Sequence, residues 1–311
     1  MDLIAGLIQT SILAGGVLAL AALGEVLAER AGVVNLGVEG LMAMGAITGI
    51  ATVVATPSPT LGFVLALLVG LMLGMVFAVT TVYLRANQVL CGLALTLMGT
   101  GLAATIGRAY SGMPAPATFA PIAIPYLSDI PLIGRALFTQ NILVYLIYII
   151  LPVALHYIMF RTRHGLDMRA VGENPAAADA AGISVQRIRF WYVAAGAALA
   201  GGAGAYLTLA FVPSWSEGVV AGRGWIAVAL VIFAGYRPLN AVLAALLFGL
   251  ITSLGFVGQA RNWPIAAPVL SMLPYLGTIA LIIVPVLAWQ KVRRMMAAPA
   301  ALGEPYYRDV R

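Results

Sequence analysis

Long uncharged stretches dominate the chain, and short polar segments separate them. The stretches cover residues 3–24, 40–84, 86–107, 136–160, 190–216, 239–260 and 262–290, with a shorter one at 224–236. The stretch 40–84 is divided by the sequence TPSPT and therefore predicts two helices. A helix needs roughly 20 apolar residues to cross the hydrocarbon core of a bilayer, so the pattern predicts about nine (about eight to ten) spans.

The composition agrees with a chain that crosses a membrane many times. Of the 311 residues, 62% are hydrophobic and 9% are charged, and the mean hydropathy is +1.01. Because helices satisfy their own backbone polar groups in lipid, we expect an all-α polytopic membrane protein. The sequence pI of 9.7 is attributed to basic cytoplasmic loops and not to a nucleic-acid partner.

Groups that support catalysis or metal binding are sparse. Cys91 is the single cysteine, and His156 and His164 are the two histidines. These are too few for a disulfide framework or a zinc site. The motifs of hydrolases, zinc proteases and Walker A ATPases are absent from the sequence. We therefore expect no catalytic residues, no cofactor and no metal, and the opening MDLIAGLIQT lacks the basic region of a signal peptide.

Basic residues predict the orientation, because cytoplasmic loops carry an excess of Lys and Arg. Five arginines lie within 161–189, and five basic residues lie within 291–311. We expect both segments to be cytoplasmic, with the N-terminus outside and the C-terminus inside. The loop 108–140 is then external. Its many prolines forbid regular helix and predict either an ordered, partly extended cap or a flexible connector.

Two parts of the chain, starting at Leu13 and Leu199, show the same order of features. Each has a helix of small residues, a polar Gly-rich interruption and a second apolar helix. Broken helices in repeated halves are typical of transporters, where the breaks line the substrate path. We expect related halves at roughly 10–107 and 190–289, within a transmembrane domain of residues 1–295 that is followed by a cytoplasmic tail, 296–311.

Polar residues within the apolar pattern are the candidates for a substrate pathway. They lie at the two interruptions or on an otherwise apolar helix: Asn35, Glu39, Asn87, Thr96, Arg223 and Trp225. A carboxylate is expensive in a bilayer. Glu39 is therefore expected either on the pathway or in the first turn of a helix at the cytoplasmic interface. Arg223 is expected to pair with Glu39 or Glu217, or to reach a lipid headgroup.

The segment GENPAAADAAGIS, residues 172–184, predicts a short capped helix within the loop 161–189. Asn174 suits the N-cap, Pro175 the first helical position and Gly182 the position after the C-cap. A helix of about seven residues does not persist alone in water. We expect it to be held by packing against its own chain and against a partner protein, with its small alanine face suited to close docking.

This loop resembles the coupling loop of ABC importer permeases. With ERAGVVNLGVEGLMAMGA, NQVLCGLALTL and AVGENPAAADAAGISVQRIRFWYVAAGAALAGGAGAYL, the chain resembles the branched-chain amino acid, ribose and nucleoside permease family. The resemblance extends from about Ala14 to Trp289 and is greatest to the simple-sugar and nucleoside branch. It assigns coupling to the ATPase to Glu173, Asn174, Pro175, Ala177, Ala178, Asp179 and Gly182.

The resemblance also implies a function and a set of partners. The chain would form the translocation pathway for a nucleoside or simple sugar that an external substrate-binding lipoprotein delivers. Its partners would be two ATP-binding-cassette domains, on one fused chain or two, and a second, non-identical permease, in a bacterial-type cytoplasmic (inner) membrane. The alternatives are a permease for another small polar solute, such as a branched-chain amino acid or riboflavin, and a secondary transporter; a channel or an intramembrane enzyme is a more distant one.

Overall fold

The computed structural model describes residues 2–130, 133–288 and 297–308. Fourteen α-helices lie within these residues. They are α1 Asp2–Arg30, α2 Val38–Ala55, α3 Pro59–Ala78, α4 Gln88–Gly107, α5 Ile133–Phe138, α6 Ile142–Tyr145, α7 Leu151–Arg161, α8 Arg163–Glu173, α9 Pro175–Ala180, α10 Val185–Tyr206, α11 Arg223–Phe233, α12 Pro238–Ala260, α13 Ala267–Ser271 and α14 Leu273–Ala288.

Short irregular elements extend or join these helices. Single π-helical segments, Val79–Tyr83 and Leu207–Phe211, extend α3 and α10, and another, Leu146–Ile150, joins α6 to α7. A 3-10 turn, Arg108–Tyr110, follows α4. Two short strands, β1 Pro121–Ala123 and β2 Thr139–Asn141, pair antiparallel.

Seven helical runs in the described part of the chain are long and apolar enough to cross a membrane. They are Ile4–Arg30, Val38–Ala55, Pro59–Tyr83, Gln88–Tyr110, Ile142–Arg161, Val185–Phe211 and Pro238–Ala260. Two shorter apolar helices, α11 with 11 residues and α14 with 16, fall at the other two stretches that predicted spans. The all-α polytopic class is confirmed. The number of spans and the orientation stay predictions, and Lys291, Arg293, Arg294 and Arg311 lie outside the described residues.

The helices α1 and α10 form the centre of the bundle. Within an 18-residue apolar stretch of each run, 94% of the residues are buried in α1 and 78% in α10, so little of either stretch is left to face lipid. Small residues permit this packing, because helices in lipid associate by close backbone approach. A Cβ atom at Gly204 of α10 would collide with the Met42 carbonyl oxygen of α2. The centre of the fold therefore depends on glycine where α10 crosses α2.

Both predicted interruptions are present. Residues 31–37 turn back along α1, and the Asn35 N–H donates to Glu25 Oε1 at 2.9 Å. The loop that leads to α2 therefore lies beside Glu25, within α1, and not beyond the end of α1 at Arg30. Residues 212–222 lead to α11, whose first residue lines one cavity with Ala14 and Leu18, near the midpoint of α1. The helix α11 therefore starts beside the middle of α1 and not beside one of its ends.

The segment between α4 and α6 forms a partly extended cap, as the prolines predicted. Its backbone is tied to the second interruption, since the Ala115 N–H donates to the Pro213 carbonyl at 2.9 Å and the Phe119 N–H to the Leu209 carbonyl at 3.1 Å. Regular helix is absent from residues 111–130. The prediction for the whole loop 108–140 is corrected at α5, a six-residue helix that begins after the last proline of the loop.

Candidate functional site

The carboxylate of Glu39 joins the two interrupted helices at the centre of the fold. Its Oε1 accepts a hydrogen bond from the Gly222 N–H, and its Oε2 accepts one from the Gly224 N–H, both at 2.7 Å. Gly222 is the N-cap of α11 and Gly224 is its second residue. The first N–H groups of a helix have no partner within the helix and carry partial positive charge. Glu39 thus caps α11 from α2.

This arrangement explains how the fold keeps a carboxylate that is only 8% exposed. Charge-assisted hydrogen bonds from backbone N–H groups offset part of the cost of removing the carboxylate from water. The close approach requires glycine, because a Cβ at Gly224 would lie 2.5 Å from the Glu39 nitrogen. Gly222 has a φ of +72°, which glycine adopts without strain. The two glycines therefore let the two helix starts meet.

Arg223 has a different role from the one that the sequence suggested. Its Nη1 donates to the carbonyl oxygens of Val219 and Val220, at 2.8 and 3.0 Å. Among the described residues it forms no ion pair within 4.0 Å, so the expected pair with Glu39 or Glu217 is wrong. The guanidinium instead holds the turn that precedes α11. Glu39 contacts the backbone on either side of Arg223 and not its side chain.

A cavity of about 290 Å³ opens beside Glu39. Residues of α2, α4 and the second interruption line it: Glu39, Ala43, Thr100, Gly101, Ala103, Ala104, Trp215, Glu217, Gly218, Val219 and Val220. Two carboxylates and a hydroxyl can accept hydrogen bonds from a solute, and an indole ring offers a flat apolar face. A second cavity of about 260 Å³, which Arg223 lines, lies on the other side of residues 219–223.

Asn35 and Thr96 support the first interruption and do not line the cavity. The Asn35 Oδ1 accepts from the Gly37 N–H at 2.9 Å. The Thr96 hydroxyl donates to the Leu36 carbonyl at 2.8 Å. Both side chains are therefore used within residues 31–37 and the adjacent helix. They fix the loop from which α2 starts, and the pathway role predicted for them stays a prediction.

Asn87 and Trp225 also lie away from the Glu39 cavity. Asn87 is the N-cap of α4, and its Oδ1 accepts from the Leu90 N–H at 3.0 Å. It lines a separate cavity with Arg85 and Gly303. Trp225 lies on α11 and is 38% exposed. Of the six predicted pathway residues, only Glu39 lines the cavity of about 290 Å³.

Three polar or aromatic residues of the cavity were not among the predicted pathway residues: Thr100, Trp215 and Glu217. The sequence carries a signal for each. Thr100 lies one helical turn beyond Thr96, so it occupies the same face of α4. Trp215 and Glu217 directly precede the glycines of the second interruption. Thr100 thus continues the polar face of α4, and Trp215 and Glu217 lie in the second interruption itself.

The short helix α9 has both predicted caps. The Asn174 Oδ1 accepts from the Ala177 N–H at 3.0 Å. At the other end the Ile183 N–H donates to the Ala178 carbonyl at 3.0 Å, and the Gly182 N–H donates to the Asp179 carbonyl at 2.9 Å. With Gly182 at φ +84°, this pair of bonds is a Schellman motif. The local structure predicted for residues 174–182 is confirmed.

The alanines of α9 divide into two faces. Ala178 is 3% exposed and packs inward with Val171 and Val185. This differs from the expectation that Ala178 belongs to a docking face. The alanines that do point outward are Ala176, Ala177, Ala180 and Ala181. Pro175 is half-buried at the start of the helix. The outward face of α9 is therefore made by Ala177 and its exposed neighbours.

The two acidic residues of this region contact other parts of the chain. A Glu173 oxygen lies 3.9 Å from Arg30 Nη1, and its other oxygen accepts from the Ala300 N–H at 3.2 Å. Asp179 Oδ2 lies 3.2 Å from Arg308 Nε. Two of the predicted coupling residues, Glu173 and Asp179, are thus held to α1 and to the segment 297–308.

The interrupted helices and the polar cavity between them define a polytopic membrane protein built as a transport permease. Among the residues that the structure describes, no three His, Cys, Asp or Glu side chains are grouped so that they would hold a metal ion. The chain belongs to the family of the permease component of the branched-chain amino acid transport system, whose pattern matches residues 7–284.

Relatives of known name cover most of the chain. It is 39% identical to a candidate glucose ABC transporter permease, TsgC13, of Haloferax volcanii, over 100% of both chains. It is 36% identical to the nucleoside ABC transporter permease NupC of Lactococcus lactis subsp. cremoris, over 83% of this chain and 84% of that protein. It is 32% identical to the guanosine ABC transporter permease NupQ of Bacillus subtilis, over 94% of each. No solved structure matches the chain significantly.

These relationships confirm the family that the sequence suggested. The chain is a permease of the ABC transporter class, and therefore a transport component and not an enzyme. It is a multi-pass membrane protein, and permeases of this class act together with ATP-hydrolysing and substrate-binding subunits.

Proposed function

We propose that this permease belongs to an importer and carries a nucleoside or simple sugar through the cavity beside Glu39. The observation that supports this most is the lining of that cavity, which combines Glu39 and Glu217 with Thr100 and the indole of Trp215. The names of the glucose, nucleoside and guanosine permeases among its relatives point to the same class of solute.

The chemistry of the cavity favours an uncharged solute rich in hydroxyl or N–H groups. Two carboxylates repel a phosphate or a free carboxylate, which disfavours phosphorylated sugars and amino acids. The same carboxylates accept hydrogen bonds from sugar hydroxyls or from the N–H groups of a base. An aromatic face adds a flat surface for a sugar or a base. The alternative of a branched-chain amino acid would place the carboxylate of the solute close to Glu39.

The exposed face of α9 supports the proposal of an ATPase partner. A capped helix with small outward residues fits closely into a groove of another protein, where large side chains would clash. We propose that this face binds an ATP-binding-cassette subunit. Two such subunits would act with a pair of non-identical permeases. An external lipoprotein delivers the solute, and the assembly lies in the inner membrane of a bacterial-type cell. The predicted orientation, with the loop 161–189 inside, is the one that this arrangement requires.

The proposal is tested by uptake into vesicles that contain the permease, its partner permease, the ATPase and the binding protein. Labelled guanosine, uridine, glucose and leucine are compared, with ATP supplied or omitted. ATP-dependent uptake of a nucleoside or of glucose, without uptake of leucine, is the expected result. Uptake that needs an ion gradient and not ATP would instead establish the secondary transporter, and ATP-dependent uptake of leucine alone would overturn the solute class.

A further inference from the structure

The segment 299–308 crosses the cytoplasm-facing side of the fold, as the predicted orientation has it, and is bound there by its backbone. The Ala301 N–H donates to the Gly172 carbonyl at 3.0 Å, at the end of α8. The Gly303 N–H donates to the Gly32 carbonyl at 3.2 Å, just beyond α1. These two bonds connect the loop that carries α9 to the central helix of the bundle.

Arg189 binds the same segment from α10. It is 2% exposed, and its Nη1 donates to the Glu304 carbonyl at 2.7 Å, while its Nη2 donates to the Ala301 carbonyl at 3.5 Å. A buried guanidinium needs acceptors, and here main-chain carbonyls of the segment supply them. Arg189 therefore fixes the segment to the second central helix.

The far part of the segment contacts α9 itself. Arg308 Nε lies 3.2 Å from Asp179 Oδ2. Tyr306 packs against the small apolar cluster of Val171, Ala178 and Val185, which lies under α9. The segment thus contacts α9 from its inner side and leaves its outward alanines exposed.

We propose that residues 299–308 are a brace that fixes α9 to α1 and α10, and that Arg189 is its main positioning residue. A six-residue helix does not persist by itself, so α9 depends on its contacts with the brace and with Val171 and Val185. The helix α1 packs against α11, and α10 packs against α2. A displacement of α9 therefore passes through the brace to the two helices that meet at Glu39.

The bracing is tested on the permease in lipid nanodiscs by hydrogen exchange of residues 175–183, in the full chain and in its variants. Arg189→Lys keeps the charge but lacks the planar fork that reaches two carbonyls. We expect exchange in α9 to become about tenfold faster in Arg189→Lys, and faster still in a chain that ends after Ala298. The matched control is Arg187→Lys, an exposed arginine on the same helix, which should leave exchange unchanged. Unchanged exchange in both brace variants would overturn the proposal.

The consequence for transport rests on the proposed function and is tested in the assembled importer. Solute transported per ATP hydrolysed is measured for each variant and corrected for the amount of assembled complex. A severalfold lower ratio of solute to ATP in Arg189→Lys, with the ATPase still bound, supports a role of the brace in coupling. A merely structural role would lower the amount of complex and leave this ratio unchanged. An unchanged ratio would overturn the role of the brace in coupling. Failure of the proposed function is distinguishable, because the wild-type importer would then show no ATP-dependent uptake while the exchange results stand.

Discussion

The Gly224 N–H donates a 2.7 Å hydrogen bond to Oε2 of Glu39, although the two residues are 185 positions apart in the sequence. Each belongs to the first turn of a helix that follows an interruption, and the two helices lie in the two predicted halves of the chain. The carboxylate of Glu39 therefore binds the first N–H groups of α11 and links the first turn of α2 to the first turn of α11. Loss of the Glu39 carboxylate should weaken the contact between α2 and α11 and change the lining of the cavity at the same time.

We predict that Glu39→Gln lowers both the stability of the permease and uptake per assembled complex. The Gln side chain has one acceptor oxygen, so the N–H of Gly222 or Gly224 is left facing an amide NH₂ group. A buried donor without an acceptor costs about 1–3 kcal/mol. Thermal unfolding of the purified permease should occur at a lower temperature, and uptake should be measured beside it. Glu217→Gln is the control, because Glu217 is an exposed residue of the same cavity. Equal melting temperatures for both variants would contradict the capping role of Glu39.

We predict that Trp215 and Trp225 respond differently to replacement by phenylalanine. Trp215 lines the Glu39 cavity and is 3% exposed, whereas Trp225 is exposed and lies outside that cavity. Trp215→Phe should reduce uptake per assembled complex, because the smaller ring alters the face presented to the solute. Trp225→Phe should transport at the wild-type rate. If Trp225→Phe lost uptake and Trp215→Phe did not, Trp225 would belong to the pathway, as the sequence suggested, and Trp215 would not.

We predict that a cysteine at Ser111 reacts with a membrane-impermeant reagent in intact cells and that one at Ser184 does not. Both side chains are exposed in the structure, so burial does not account for a difference between them. Cys91 is first replaced by serine to remove the native thiol. In inverted vesicles the pattern should be reversed. The opposite labelling in intact cells would reverse the orientation derived from the basic residues.

We predict that Ala177→Arg and Ala178→Arg fail for different reasons. Ala177 is exposed on α9, so an arginine there adds bulk and charge to the docking face and should abolish binding of the ATPase while the permease stays folded. Ala178 is buried against Val171 and Val185, so an arginine there should lower the amount of folded permease in the membrane. Co-purification with the ATPase and the yield of monodisperse permease separate the two effects. Full ATPase binding by Ala177→Arg would reject the docking face.

The features that could be predicted from sequence are those that depend on neighbouring residues. The caps of α9 lie within Asn174 to Ile183, so residue preferences were enough to place that helix. The hydrophobic stretches similarly placed the long apolar helices and both interruptions. Which alanine faces inward was not predictable, because Tyr306, which is far away in the sequence, packs against the cluster that contains Ala178.

The contacts of the polar residues were harder to predict. The sequence indicated that Glu39 and the region of Arg223 would meet, but it suggested a pair of side chains, and the structure shows backbone N–H groups instead. Thr96 was recognised as a polar residue on an apolar helix. Whether such a hydroxyl faces a conduit or a nearby carbonyl depends on the path of a loop, and here the Leu36 carbonyl accepts its hydrogen bond.

The cap formed by the segment between α4 and α6 is attached through its main chain. Ala115 and Phe119 use their backbone N–H groups to bind the carbonyls of Pro213 and Leu209, beside the residues that lead to Trp215. Amino-acid replacements that keep the backbone path leave such bonds in place. The side chains of this segment are therefore free to change, while its main chain still links it to the turn that carries Trp215.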